Sequence, residues 1–306
     1  MKKIKKKKVK RKRNNAKLNI SISFCTLLAA LPAILIIMPL VVTLTNSLMS
    51  EAEINYSYFT TPGNSLHTGK GTDSLYYGIK VIPDVVTINQ YYSVLIHKTQ
   101  YHFLFWNSVG VAVPVVMGQI VVASMAAYAF SKFPFKGSNA LFFLYIIAMM
   151  MPYQVTLIPN YIIASYLGLL DKTLSIILPG VFSAFGVFLL RQYMITIPNA
   201  YCESAVVDGA NPLQIFLRII LPMSKAGIAS LAMLVFIDSW NMVEQPLIFL
   251  TDQTKTMLSV FLSVINSNER GVAFAAASIY MAPMLLVFLY GENYLVNGIR
   301  LSGLKE

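Results

Sequence analysis

A chain of 306 residues that is 56% hydrophobic and only 12% charged falls outside the range of water-soluble domains, which carry about twice that charged fraction. So much apolar surface needs lipid to cover it, and the composition predicts a polytopic membrane protein. The formal net charge of +11 is concentrated at one end: residues 1–19 hold eleven of the 24 Lys and Arg, which argues for a topogenic segment at the membrane face and against a nucleic-acid-binding arm.

This basic tail runs straight into an apolar stretch from Ile20 to Thr45. The stretch is too long for the core of a signal peptide, so residues 20–48 are expected to stay as the first span. Residues 49–102 form a long mixed loop with turn signals at Pro62-Gly63 and Gly69-Lys70-Gly71. From Thr87 to Tyr101 the loop becomes amphipathic and aromatic, and a helix lying at the outer interface is expected there, with Trp106 opening the next span. Five more apolar stretches, near 103–130, 140–163, 174–194, 226–250 and 272–296, complete six spans within a core of residues 103–296. The predicted fold class is therefore all-α: a polytopic membrane helix bundle of six transmembrane helices, followed by a tail at 297–306. Pro114, Pro152 and Pro159 fall inside spans and predict kinks. Ala123, Ala127, Gly180 and Ala184 predict close helix contact.

Six crossings place both termini on one side. With the basic tail in the cytoplasm, the segments assigned there hold 18 of the 24 Lys and Arg. The outside segments hold six, together with seven Asp and Glu, the asymmetry that orients membrane chains. Cys25 and Cys202 lie in different segments, and His67, His97 and His102 have no ligand-type spacing around them, so neither a disulfide framework nor a metal site is expected. No nucleophile–base arrangement is evident.

The cytoplasmic segment 196–222 does not read as a polar linker. Pro198 suits a helix start, Asn199 or a neighbour can cap, and Glu203 falls in the first turns, where a carboxylate is favoured. Gly209 stops or bends that helix, and Pro212 and Pro222 bracket a second short one. The result is a compact helical knob with small residues on top, suited to docking another protein. Glu203-Ser204-Ala205, then Asp208-Gly209, Ile219 and Leu221-Pro222 resemble, at matching spacings, the signature of permease subunits of ATP-binding-cassette (ABC) importers, with Ser204 replacing the middle Ala. Thr87-Ile88-Asn89-Gln90-Tyr91, Asn107-Ser108, Ala126-Ala127-Tyr128-Ala129-Phe130, Met151-Pro152, Ile158-Pro159, Trp240-Asn241 and Pro246-Leu247 are similar to the carbohydrate branch, the maltose and multiple-sugar type. The resemblance covers roughly residues 85–300.

That resemblance implies the type I importer permease fold and a subunit of a bacterial cytoplasmic-membrane transporter that moves a sugar by alternating access. It implies a second permease chain, usually a different one, and two cytosolic ATPase subunits that receive the signature loop. It also implies an extracytoplasmic solute-binding protein. ATP would bind to the partners: Gly-x-x-x-x-Gly-Lys-Ser/Thr is absent from this chain, which is expected to be no enzyme and to hold no cofactor.

Asp238 sits in an apolar span. Either it lines a sugar path, with Trp240 stacking on a ring face, or it pairs with another helix or is protonated. Gln154, Asn241 and Glu244 are further candidates for the path, and Glu292 reads as a structural or snorkelling acid. The outside loop 251–271 carries Asp252, Thr254, Lys255, Asn266, Asn268 and Arg270, and the resemblance suggests contact with the binding protein. An ABC permease for a non-sugar solute, an ion-coupled secondary transporter and a membrane enzyme or assembly factor remain alternatives. The secondary transporter would leave the signature loop unexplained, and no inverted repeat is evident.

Overall fold

The computed structural model describes residues 26–58, 80–264 and 269–303, which fold into helices and connecting turns, with no strand among them. The basic tail, Cys25, His67, Asn266 and Asn268 lie outside the described residues. In chain order the first helices are α1 (Thr26–Asn46), α2 (Glu51–Tyr58), α3 (Asn89–Tyr92) and α4 (Thr99–Lys132). Next come α5 (Ser138–Met149), α6 (Tyr153–Tyr166), α7 (Leu174–Val181), α8 (Ala184–Ile195) and α9 (Ala200–Val207). The last are α10 (Pro212–Ile215), α11 (Leu221–Met223), α12 (Lys225–Trp240), α13 (Glu244–Phe249), α14 (Leu258–Ser263) and α15 (Arg270–Gly303).

Four stretches are helical, long and apolar enough to cross a bilayer: Thr26–Asn46, Thr99–Lys132, Leu174–Ile195 and Arg270–Glu292. Two bent pairs raise the number to six if each is one span: α5 with α6 at 98°, and Pro212–Met223 with α12 at 75°. The chain is a polytopic membrane protein of all-α class.

The described part falls into two compact units. In the first, α1 turns an apolar flank of Leu27, Leu31, Ile34 and Leu35 outward, as contact with lipid requires. Met49 and Ile54 are buried in that unit. The Glu51 carboxylate accepts the backbone N–H groups of Arg270 (2.9 Å) and Gly271 (2.8 Å). It thereby satisfies two donors that the start of α15 leaves open. Gly271 is needed there, because a Cβ would lie 2.5 Å from Gln90 Nε2 and 2.7 Å from Glu51 Oε2.

The second unit is built around α4, about 50 Å long at 1.5 Å rise per residue. Val111, Val115, Ala123 and Ala127 of α4 are buried with Ile176, Leu190, Met194, Leu231 and Val235 of α7, α8 and α12. Of the expected small residues, Gly180 makes a close contact, since a Cβ there would lie 3.0 Å from Val115; Gly118, not among them, is tighter still, with a Cβ 2.5 Å from Val181. Pro114 sits inside α4 without interrupting it.

Several boundaries differ from the hydropathy pattern. The stretch Thr87–Tyr101 is helical over 89–97, as short α3 running into a wider π-type segment to His97, before α4 starts at Thr99, so Trp106 lies inside α4. The span expected at 140–163 breaks at Met150–Pro152, since proline lacks an N–H and pushes the residue before it away from helical geometry. The span expected at 226–250 ends at Trp240. Its 16 residues reach only about 24 Å, short of a hydrocarbon core of about 30 Å. Pro246 cannot donate to the Met242 carbonyl, which instead accepts the Ser259 hydroxyl at 2.6 Å. The expected C-terminal tail is helical as far as Gly303.

Candidate functional site

The segment 196–222 folds as two short helices joined by a tight turn. α9 ends in a Schellman motif: the Ala210 N–H donates to the Ala205 carbonyl (2.9 Å) and the Gly209 N–H to that of Val206 (3.0 Å). Gly209 adopts φ +82°, the left-handed region that favours glycine. α10 opens with a capping box, in which the Asn211 side chain accepts the Gln214 N–H at 2.8 Å and the Gln214 side chain accepts the Asn211 N–H at 3.0 Å. This cap at Asn211-Pro212-Leu213-Gln214 was readable in the sequence. Asn199 makes no cap; its Oδ1 accepts the Lys132 ammonium at 3.0 Å.

Glu203, Ser204, Asp208 and Gly209 face outward, while Ala205 is buried beneath them. Ile219 and Leu221 pack on the core, and Pro222 is exposed. Tyr201, Val206, Val207, Leu213 and Leu217 present apolar surface beside these groups, with Val207 87% exposed. The C-terminal end of α4 carries the hairpin. Lys132 donates to the Ile197 carbonyl, Tyr128 donates to the Pro212 carbonyl at 3.2 Å, and the Tyr128 ring lies 5.1 Å from Phe216. These exposed apolar side chains form a patch on a polar-edged hairpin.

A second polar cluster forms where helices break. Gln154, at the start of α6, donates to the two Glu244 carboxylate oxygens at 3.4 and 3.3 Å. Beside it, Tyr153 donates to Gln245 Oε1 at 2.8 Å, and Gln245 donates to the Ser175 carbonyl at 3.2 Å. Asp238 and Asn241 are exposed on the single chain.

Trp240 is placed otherwise than expected. It is buried, lies near parallel to Phe236 and Tyr280 at 5.4 and 5.5 Å, and donates its indole N–H to the Tyr280 carbonyl at 3.1 Å. No ring face is open to stack on a sugar, so Trp240 belongs to the core. The Tyr280 hydroxyl closes the end of α12, 2.8 Å from the Trp240 carbonyl and 2.9 Å from Asn241 Oδ1.

The segment after α13, expected as an outside loop, is a braced turn. Asp171 Oδ1 accepts the Thr251 N–H (2.6 Å), the Thr251 hydroxyl (2.7 Å) and the Asp252 N–H (3.3 Å). These bonds, the Thr251 hydroxyl first, hold the Asp171 carboxyl below the usual carboxylate range. Asp252 accepts the N–H and hydroxyl of Thr254 and pairs with Lys255 at 3.2 Å. From α4, Asn107 donates to the carbonyls of Thr254 (2.8 Å) and Thr256 (3.1 Å), and the Ser108 hydroxyl accepts the Leu258 N–H at 3.0 Å. Leu258–Ser263 is helical, and Arg270 starts α15 with its guanidinium on Asn55 Oδ1 at 3.2 Å, so 251–271 is not one surface loop.

A membrane bundle with two bent helix pairs is the fold of an ABC importer permease. The structure superposes with TM-score 0.75 on a bacterial ABC transporter involved in import of the acidic polysaccharide alginate, at 22% identity, over 90% of this chain and 96% of the other. The chain belongs to the family described as binding-protein-dependent transport system inner membrane component, which residues 119–301 match. It is 27% identical over 239 residues to the arabinooligosaccharides transport system permease protein AraQ of Halalkalibacterium halodurans, covering 76% of this chain and 86% of that one. It is 31% identical over 208 residues to the sn-glycerol-3-phosphate transport system permease protein UgpE of Pectobacterium atrosepticum, covering 66% and 74%.

Proposed function

We propose that this chain forms half of the translocation pathway of an ATP-driven bacterial importer for a carbohydrate, an oligosaccharide or related sugar, working by alternating access. The observation that carries this is the α9–α11 hairpin, where Glu203 and Gly209 stand among exposed apolar side chains on a base fixed by α4. Two ABC ATPase subunits would seat this hairpin and supply the nucleotide sites. A second, non-identical permease would complete the pore, and an extracytoplasmic solute-binding protein would deliver the sugar to the side that bears Asp252, Thr254 and Lys255. Both termini would then lie in the cytoplasm of a cell-membrane protein. Asp238, Asn241, Gln154 and Glu244 are the side chains assigned to the sugar path, since their hydrogen-bonding groups suit hydroxyls. The names of the relatives support the substrate class, and the glycerol-phosphate relatives keep a phosphorylated polyol as the second reading.

The test is affinity purification of the tagged chain from its native membrane. An ATPase and a second permease should co-purify, and proteoliposomes holding the complex and its binding protein should take up arabinotriose only with ATP. Recovery of the chain alone, with uptake driven by an ion gradient, would favour a secondary transporter.

A further inference from the structure

α4 is hydrogen-bonded at both ends to the two segments that the proposed function sets to work. At its outer end Asn107 donates to two carbonyls of the 250–257 turn, and Ser108 accepts the Leu258 N–H. The Tyr101 ring adds an edge contact with Phe261 at 5.2 Å. At its inner end Lys132 holds Ile197 and Asn199, and Tyr128 holds Pro212 and packs on Phe216. Asn107 and Tyr128 are 21 residues apart, about 32 Å along one uninterrupted helix. Between them the helix runs unbroken through Pro114 and is packed closely against α7 and α8. Gly118 touches Val181, Gly180 touches Val115 and Gly186 touches Gln119, each closely enough that a methyl group would not fit without movement. By contrast, the neighbouring crossings are broken, at 98° between α5 and α6 and at 75° before α12.

We infer that α4 is a rigid strut that carries the position of the ATPase-facing hairpin directly to the outer turn at 250–257, with Asn107 and the Tyr128–Lys132 pair as positioning residues at its two ends. The inference rests on the proposed importer role for what is transmitted, but the rigid connection itself does not depend on it. Bonds to backbone carbonyls suit this task, since they fix the turn and the hairpin whatever their side chains do. Movement of the inner end by the ATPases then moves the outer turn as part of one body, while the broken helices absorb the change of shape.

The experiment uses the complete complex, with Cys25 and Cys202 replaced and spin labels attached through Arg218→Cys beside the hairpin and Lys255→Cys on the outer turn. Pulsed electron paramagnetic resonance gives the distance between the labels in nucleotide-free complex and in complex trapped with ATP and vanadate. A strut predicts one narrow distribution whose peak moves by less than about 2 Å between the states, the scale of a helix shift. Asn107→Ala, and separately the double change Tyr128→Phe with Lys132→Met, should each broaden it and reduce the stimulation of ATPase activity by the binding protein. A peak that moves by about one helical turn, 5 Å, between the states in the otherwise native complex overturns the proposal. Unbroadened distributions in both variants overturn it as well. Glu203→Lys serves as the separate control: unchanged coupling in that variant removes the docking role while leaving the distance measurement to decide the strut.

Discussion

Asp171 and Thr251, 80 residues apart, are joined by two bonds to one carboxylate oxygen, at 2.6 Å from the Thr251 N–H and 2.7 Å from its hydroxyl. Asp171 holds this position with φ +59°, a left-handed conformation that Asp tolerates better than most residues. The pair closes the turn after α7's preceding loop onto the end of α13, where the Asp171 N–H also donates to the Phe249 carbonyl at 3.0 Å.

Asp171→Ala should speed amide hydrogen exchange at Thr251 and Asp252, with Asp171→Asn intermediate because it keeps one acceptor and the same backbone tolerance. The clasp is also acid-sensitive. A carboxyl whose folded value lies below its unfolded value stabilises fully above the unfolded value, about 3.9, and loses that contribution as pH falls through the folded one. Protection of these amides, taken relative to their intrinsic exchange rate at each pH, should therefore be high near neutrality and fall only in strongly acidic buffer. Equal exchange in the native protein and Asp171→Ala would remove the clasp.

Gly209 has open space around its α-carbon, so Gly209→Ala tests backbone conformation alone. The left-handed geometry should cost about 1–2 kcal/mol in hairpin stability. Coupled ATPase activity should fall in Gly209→Ala and recover in part in Gly209→Asn, which accepts this conformation more readily. Identical activity in the alanine variant would mean that the hairpin keeps its shape without the Schellman turn.

Glu203→Lys changes an exposed charge that makes no contribution to the core. The chain should insert and assemble normally by size-exclusion chromatography, while ATP-dependent uptake and binding-protein-stimulated ATPase activity are both lost. Survival of both activities would contradict the assignment of this face to the ATPase.

Trp240 and Asp238, two positions apart, should respond in opposite ways. Trp240→Ala removes a buried ring enclosed by Phe236, Phe105 and Tyr280 and should destabilise the fold by about 3–5 kcal/mol, seen as a lower melting temperature in detergent. Asp238→Asn should leave melting unchanged and alter uptake. A stable Trp240→Ala variant with altered sugar selectivity would return the indole to the pathway.

Hydropathy was enough to locate the four crossings that are continuous helices, Thr26–Asn46, Thr99–Lys132, Leu174–Ile195 and Arg270–Glu292, because a continuous helix satisfies its own backbone polar groups, and the spacing around Glu203 and Gly209 was enough to locate the hairpin. Hydropathy does not register which carbonyls are bonded, so the apolar run 226–250 concealed the break after Trp240. Pro246, following Asn241, was the available sign of it. The orientation of Trp240 depends on three rings from α4, α12 and α15, which no local pattern contains. The bracing of the outer turn was equally hidden. Its partners, Asn107 and Asp171, lie 147 and 80 residues away from Thr254 and Thr251, and each looks like an ordinary polar residue in its own neighbourhood.

The carboxylate of Glu51 that caps α15 has a bearing on biosynthesis. Its two bonds reach 219 and 220 residues down the chain, so they cannot form until the start of α15 has emerged from the ribosome. Every chain truncated before Arg270 lacks the donors that Glu51 is placed to receive. Closure of the first unit therefore waits for the start of α15, and a chain that stalls before Arg270 keeps this carboxylate without those two donors.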